Sequence, residues 1–209
     1  MLTPDMKKAI KHLTVSVLVL LSLLNLCSCN NQPKRFTKEE IIAYSQTGKS
    51  GWSKGISVAG VKYDVSYRHP SLIFAIEDDV DSLIEGRDSL LRTSYWFNID
   101  ISIDGFNQSP LRYQLSSLEE YNMRLDYFLN RAIHDVWLED GKDTFRPTSY
   151  WFENNHNLIA RETIVLGFDN REINGKTVQL AFNDRLFRNG IIKANFQKED
   201  LDKNIIVTD

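Results

Sequence analysis

The clearest pattern in the chain is the strict alternation of YWFNIDISID. Tyr95, Phe97, Ile99, Ile101 and Ile103 fall on one side, and Trp96, Asn98, Asp100, Ser102 and Asp104 on the other, the period-two signature of a half-buried strand. A second alternation, ISVAGVKYDVSY, sets Ile56 and Val58 before an Ala59-Gly60 turn and Val61, Tyr63, Val65 and Tyr67 after it, which predicts a hairpin. From Ile133 onward the reading is almost wholly β. IHDVWLEDGKDTF predicts a hairpin turning at Asp140-Gly141, and LIARETIVLGF, KTVQLAF and IIKANF predict three more strands.

Helical periods occur in three places. Thr37-Lys38-Glu39-Glu40 and Ser117-Leu118-Glu119-Glu120 both carry the capping-box pattern. The first predicts a short helix through Tyr44. The second predicts a helix with Leu118, Tyr121, Leu125, Phe128, Leu129 and Ala132 on one apolar stripe and Arg124, Asp126, Asn130 and Arg131 outward. Pro70 and Ser71 open the third, in which the echo DSLI and DSLL places Leu83, Ile84, Leu90 and Leu91 on one face and Gly86 softens the helix. Together these predict an α+β, β-rich fold: one antiparallel β-sandwich-like domain over residues 37–209 with two or three flanking helices. TSYWF occurs twice, from Thr93 and from Thr148. The flanking sequences do not match, so it reads as two aromatic-rich strands, with a duplicated half-domain as the alternative.

The amino end follows another logic. Lys7, Lys8 and Lys11 precede an apolar run from Leu13 to Leu24 broken only by Thr14, Ser16 and Ser22, shorter than the roughly 20 apolar residues of a transmembrane helix. Met6 offers an alternative start. Leu26-Cys27-Ser28-Cys29 then resembles the lipobox of bacterial lipoproteins. That resemblance implies a signal peptide over 1–28, a diacylglyceryl thioether on Cys29, and a lipidated N-terminus and short tether over 29–36. Cys27 lacks the pattern, because bulky Leu26 precedes it. The alternatives are an uncleaved signal anchor or a C-x-C thiol site, the latter without a second cysteine pair to complete it. Seven residues from Asn30 to Phe36 reach at most about 25 Å, so the folded part stays near the membrane. By analogy with better-known lipoproteins, Asn30 in place of aspartate favours the outer membrane. Lys34 and Arg35, where surface lipoproteins carry acids, favour its periplasmic side. GWSKGISVAGVKYDVSY, LEDGKDTF and FNDRLFRNG resemble small lipoproteins of Bacteroidota, which implies a palmitate-type anchor and an envelope location but no activity.

Charge narrows the partners. The formal balance is −3, and removing residues 1–28, with three lysines and one aspartate, leaves 22 basic and 27 acidic residues, a balance of −5. No block of five or six basic residues occurs, which argues against nucleic acid and against a polybasic membrane patch.

Candidate chemistry is sparse. DISIDG resembles the opening of a calcium loop, but its twelfth position is Leu111 and its alternation says strand, so no metal or cofactor is expected. His69, His134 and His156 share no metal spacing, and no serine elbow, phosphate loop or zinc helix is present. No catalytic residue is nominated. Trp96, beside Asn98 and Asp100 on the polar side of its strand, is the candidate ligand contact, of the kind that stacks on sugar rings; the alternative is that a helix or second sheet covers that side. Ser82 and Ser89, each following an aspartate in DSL, match an O-glycosylation pattern of periplasmic proteins. Three functions remain: a non-enzymatic accessory or scaffold binding an envelope protein, a glycan-binding lipoprotein, and a hydrolase whose carboxylates only the fold brings together.

The anchor is testable directly. Cys29→Ala is expected to abolish palmitate labelling and to release the protein from membranes or trap its precursor, whereas Cys27→Ala leaves both unchanged; labelling that persists in the Cys29→Ala variant would contradict the assignment.

Overall fold

The computed structural model describes residues 33–76, 87–156 and 158–208. Its body is Lys34–Asp209. Two antiparallel sheets form a sandwich-like α+β domain. One sheet has five strands in the order β2 (Ser53–Val58), β3 (Val61–Tyr67), β4 (Ser94–Ile103), β8 (Glu162–Asp169) and β7 (Ser149–Glu153). The other orders β10 (Gly190–Gln197), β9 (Thr177–Asp184), β5 (Val136–Glu139) and β6 (Thr144–Phe145). A small parallel pair joins β1 (Lys34–Phe36), read from sequence as the end of the tether, to β11 (Ile205–Val207).

Alternation decides what faces what. Tyr63, Val65 and Tyr67 of β3, the odd-numbered residues of β4, and Ile164, Leu166 and Phe168 of β8 are buried. They meet Val178, Leu180 and Phe182 of β9 and Ile192, Ala194 and Phe196 of β10. Phe97 lies 5.2 Å from Phe196 and Tyr63 lies 6.4 Å from Phe182, ring centre to ring centre. A one-residue slip in any of these strands would turn its whole apolar row to the opposite side.

The helices match the sequence in part. α1 (Lys38–Ser45) has the full capping box: Thr37 Oγ1 accepts from Glu40 N, and the Glu40 carboxylate accepts from Thr37 N. α2 (Pro70–Ile76) and α3 (Arg87–Arg92) lie in the stretch read as one softened helix; Leu83, Ile84 and Gly86 fall outside the described residues. Leu91 is buried but Leu90 is exposed, so the pair does not share a face. α4 (Leu118–Asp126) keeps half its capping box, because the Glu120 carboxylate turns to Ser116 N and Oγ instead of the Ser117 amide. A π-type turn over Tyr127–Arg131 and a 3-10 turn over Ala132–Asp135 follow. These wider and tighter turns break the 3.6-residue period. Leu129 (48% exposed) therefore lies outside the core that Phe128 and Ala132 enter, and Leu118 (74%), in the first turn of α4, lies outside it as well. Arg124, expected outward, instead reaches in to donate to the Leu111 and Tyr113 carbonyls. His134 sits in the 3-10 turn, not on a strand, and β5 begins only at Val136.

The chain's last segment closes one end of the sandwich. Four side chains from the amino-terminal half bond its carbonyls in sequence. Trp52 Nε1 donates to Asp200 O (2.8 Å), Tyr67 Oη to Leu201 O (3.1 Å), and Ser71 Oγ to Ile205 O (2.9 Å). His69 Nε2 bonds Lys203 O at 2.9 Å while its Nδ1 accepts from Ser71 N at 3.1 Å. Both ring nitrogens are thus used by the neutral tautomer, and the ring stacks on Trp52 at 5.1 Å. Gly51 allows the close approach: its φ is +76°, and a Cβ there would sit 2.3 Å from an Asp200 carboxylate oxygen.

Burial lowers the His69 pKa from 6.5 to about 4. An acceptor nitrogen that must gain a proton breaks the Ser71 bond, so stability is full above pH 6.5 and is lost as pH falls toward 4. The loss expected from this group is about 3 kcal/mol. Urea unfolding at a series of pH values should show it, and His69→Leu, less stable at pH 7, should lack that part of the slope; an identical slope in the variant would assign the loss elsewhere.

Candidate functional site

The polar side of the five-stranded sheet gathers the sequence-nominated residues. Trp96, Asn98 and Asp100 share the outer face of β4, and each is half-buried. Register places partners around them. Trp96 faces Gly167 on β8, and Gly167 faces Ser149 on β7. Asn98 faces Val165, which faces Trp151. Asp100 faces Thr163 on one side and Asp64 of β3 on the other.

The repeated TSYWF acquires a structural meaning here. β4 and β7 both run antiparallel to β8 and so parallel to each other, flanking it about 10 Å apart. Each copy turns its tyrosine and phenylalanine to the inner side: Tyr95, Phe97 and Phe152 are buried, and Tyr150 is half-buried against the core. Each sends its tryptophan outward, and the two are offset by two residues. Trp151 is 67% exposed. Sequence reading passed over it because β7 is short and its outward side holds only Ser149, Trp151 and Glu153; the repeat itself was the available signal.

Trp96 lies against the sheet because Gly167 has no side chain. A Cβ at Gly167 would stand 2.9 Å from Cη2 and Cζ3 of the indole and 3.1 Å from Ser149 Cβ. The Trp96 Nε1 donor and the Asn98 Oδ1 acceptor are buried without a hydrogen-bond partner, a state that costs free energy unless something satisfies it. Beside them, Thr163 Oγ1 donates to Asp100 Oδ1 at 2.5 Å, and Lys62 pairs with Asp64 at 2.8 Å. A groove of about 370 Å³ continues the face over β2 and β3, lined by Gln46, Ser53, Gly55, Asp64, Ser66 and Asp100. The face therefore combines indole surface, amide and hydroxyl groups, and carboxylates within one shallow, open area.

Other polar features are otherwise occupied. A cavity of about 320 Å³ beside His69 also contains Tyr95 and Asp202, but Tyr95 Oη donates to Asp202 at 2.5 Å and His69 is spent on the closing segment. His134 lies in the 3-10 turn before β5, and His156 in the β7–β8 connection. Glu162, which sequence reading missed, ends the inner row of β8 and is buried. Burial raises its carboxyl to about 7 even though Ser109 Oγ donates to Oε1; Oε2 has no partner. Among the described residues it has a serine beside it and no second carboxylate partner, and its bond to Ser109 ties β8 to the residue before the Pro110–Arg112 turn. Among the described residues, no group of three or more histidine, cysteine or carboxylate side chains is arranged for a metal ion. Ser89 is exposed on α3, as modification would require, and Ser82, Cys27 and Cys29 lie outside the described residues. No described helix is long and apolar enough to cross a membrane.

No family model, no curated protein and no solved structure matches the chain.

Gly167→Val should lift the Trp96 indole from the sheet. The expected cost is about 1–3 kcal/mol in unfolding free energy, with a red-shifted tryptophan emission; an unchanged spectrum at unchanged stability would mean that the indole does not rest on this glycine.

Proposed function

We propose that this chain is a lipid-anchored, non-enzymatic protein of the periplasmic side of the outer membrane, and that the outer face of its five-stranded sheet binds carbohydrate. The observation that carries the reading is the Trp96–Trp151 pair: two indoles on one open sheet face, one seated on Gly167 and the other projecting. Pyranose rings present apolar C–H faces and polar edges. Flat indoles take the faces, while Asn98, Asp100 and the groove groups Asp64, Ser66 and Gln46 are of the right chemistry for the hydroxyls. A shallow, open face suits a chain better than a single enclosed sugar.

Support for a non-enzymatic role is chemical. The buried carboxyl of Glu162 points into the sandwich, away from this face, and the three histidines of residues 37–209 sit on separate elements. Anchoring rests on the Cys29 lipobox, and the periplasmic side on Asn30, Lys34 and Arg35. The protein-binding scaffold reading is favoured by a different surface, described below.

Native-gel retardation in soluble cellulose, chitin and starch derivatives tests the carbohydrate reading. Retardation by at least one is expected, and Trp96→Ala and Trp151→Ala should each weaken it at least tenfold, about 1.4 kcal/mol. Retardation that survives the double variant, or none in any polysaccharide, would contradict it.

A further inference from the structure

A second groove lies at the other end of β3 from the closing segment. Two adjoining hollows of about 240 and 300 Å³ share Arg124, Leu186 and Arg188. Their floor is apolar and aromatic, with Tyr113, Tyr127, Leu186 and Phe187, and Met123 stands at the rim, 56% exposed. Their charge is positive. Arg124 is matched by Glu120 at 2.5 Å, but Arg185 spends only Nε on Asp135, at 2.8 Å, and is otherwise exposed. Arg188 is exposed and makes no ion pair or hydrogen bond among the described residues. In a protein of net negative charge, this is a local reversal of sign.

The backbone around the groove is held under strain. Four non-glycine residues among those described have positive φ, and three of them, Ala59 (+49°), Gln114 (+48°) and Arg188 (+58°), line this one groove. Such conformations persist only where their surroundings over-determine them. For Arg188 the surroundings are plain. The Asp184 carboxylate accepts from the Leu186, Phe187 and Asn189 amides, and Asn189 Nδ2 donates to Tyr63 Oη at 2.8 Å. Tyr63 Oη in turn donates to Asp184 at 2.6 Å. A rigid turn thus presents an unpaired guanidinium beside an apolar floor.

We infer that this groove binds an acidic segment of a protein partner, with an apolar side chain seated over Leu186 and Phe187 and a neighbouring carboxylate on Arg188 and Arg185. Charge complementarity selects the sign. Two joined shallow hollows, in place of one deep pocket, fit successive side chains of an extended peptide, and arginine, tyrosine and methionine are the side chains enriched at such interfaces. Position argues against a membrane headgroup: the groove sits at the opposite end of β3 from Lys34, where the chain joins the folded body, a point that rests on the lipid-anchor reading. The surface is distinct from the tryptophan face, so the two proposals stand or fall separately.

The test uses full-length protein in detergent micelles and a phage-displayed library of random heptapeptides. Selected sequences should be rich in aspartate and glutamate next to aliphatic or aromatic residues. Their affinity should fall at least tenfold in Arg188→Gly, a change that suits the positive φ and is expected to keep or raise Tm. Trp96→Ala should leave that affinity unchanged. No convergent selection, selection of basic peptides, or binding indifferent to Arg188→Gly would overturn the inference, as would vesicles of phosphatidylglycerol competing as well as the peptides do.

Discussion

The aromatic seam between the two sheets governs what the rest of the molecule can do. Phe97 packs on Phe196 and Tyr63 on Phe182, and side chains along a regularly paired strand alternate between its two faces. Once the odd-numbered residues of β4 enter the seam, Trp96, Asn98 and Asp100 must leave it. The same holds for β7, where burying Phe152 against Phe128, with rings 5.0 Å apart, commits Trp151 to the outer side. The proposed binding face is a by-product of core packing that the sequence has furnished with indoles.

Closing the sandwich falls to its last residues. Without a disulfide among the described residues, the end near β1 is held by side-chain donors to the carbonyls of Asp200, Leu201, Lys203 and Ile205, and His69 is the only titratable one among them that changes charge in mild acid. Asp184 does comparable work at the far end, where it joins the β9–β10 turn to Tyr63 of the opposite sheet. One end is therefore acid-sensitive and tied to the point where the chain enters the body. The other is rigid and carries the arginine groove. On the proposed reading, that division keeps the three surfaces apart: the end where the chain enters the body for attachment, the tryptophan face for carbohydrate and the arginine groove for a partner.

Much of this was legible in the sequence where a single period ran unbroken. The alternation of β4, the Ala59-Gly60 hairpin and the Thr37 cap all appear where local pattern places them, because each depends on neighbours within a few residues. What was missed depends on register or on irregular turns. Leu129 stayed outside because the π-type and 3-10 turns after α4 shift the helical frame, and Arg124 turned inward because the Leu111 and Tyr113 carbonyls, outside its own helix, accept from it. Gly167 looked like any strand glycine until pairing set it under Trp96. Trp151 belonged to a repeat whose two copies match in orientation only because both flank β8. Glu162 gave no sign of burial, since its strand begins with it. The arginine groove is assembled from four separate segments and has no sequence signature at all.

The central claim concerns which indoles meet the ligand, and the four tryptophans of the chain allow it to be read directly. Trp52 donates to the Asp200 carbonyl and Trp137 to Glu139 Oε1 at 2.6 Å, so both indole N–H groups are engaged away from the proposed face. In nitrogen–proton correlation spectra of the protein titrated with cello-, chito- and malto-hexaose, the Trp96 and Trp151 indole signals are predicted to move with at least one sugar while those of Trp52 and Trp137 stay in place. Movement confined to Trp137 or Trp52, or stillness of all four, would contradict the account.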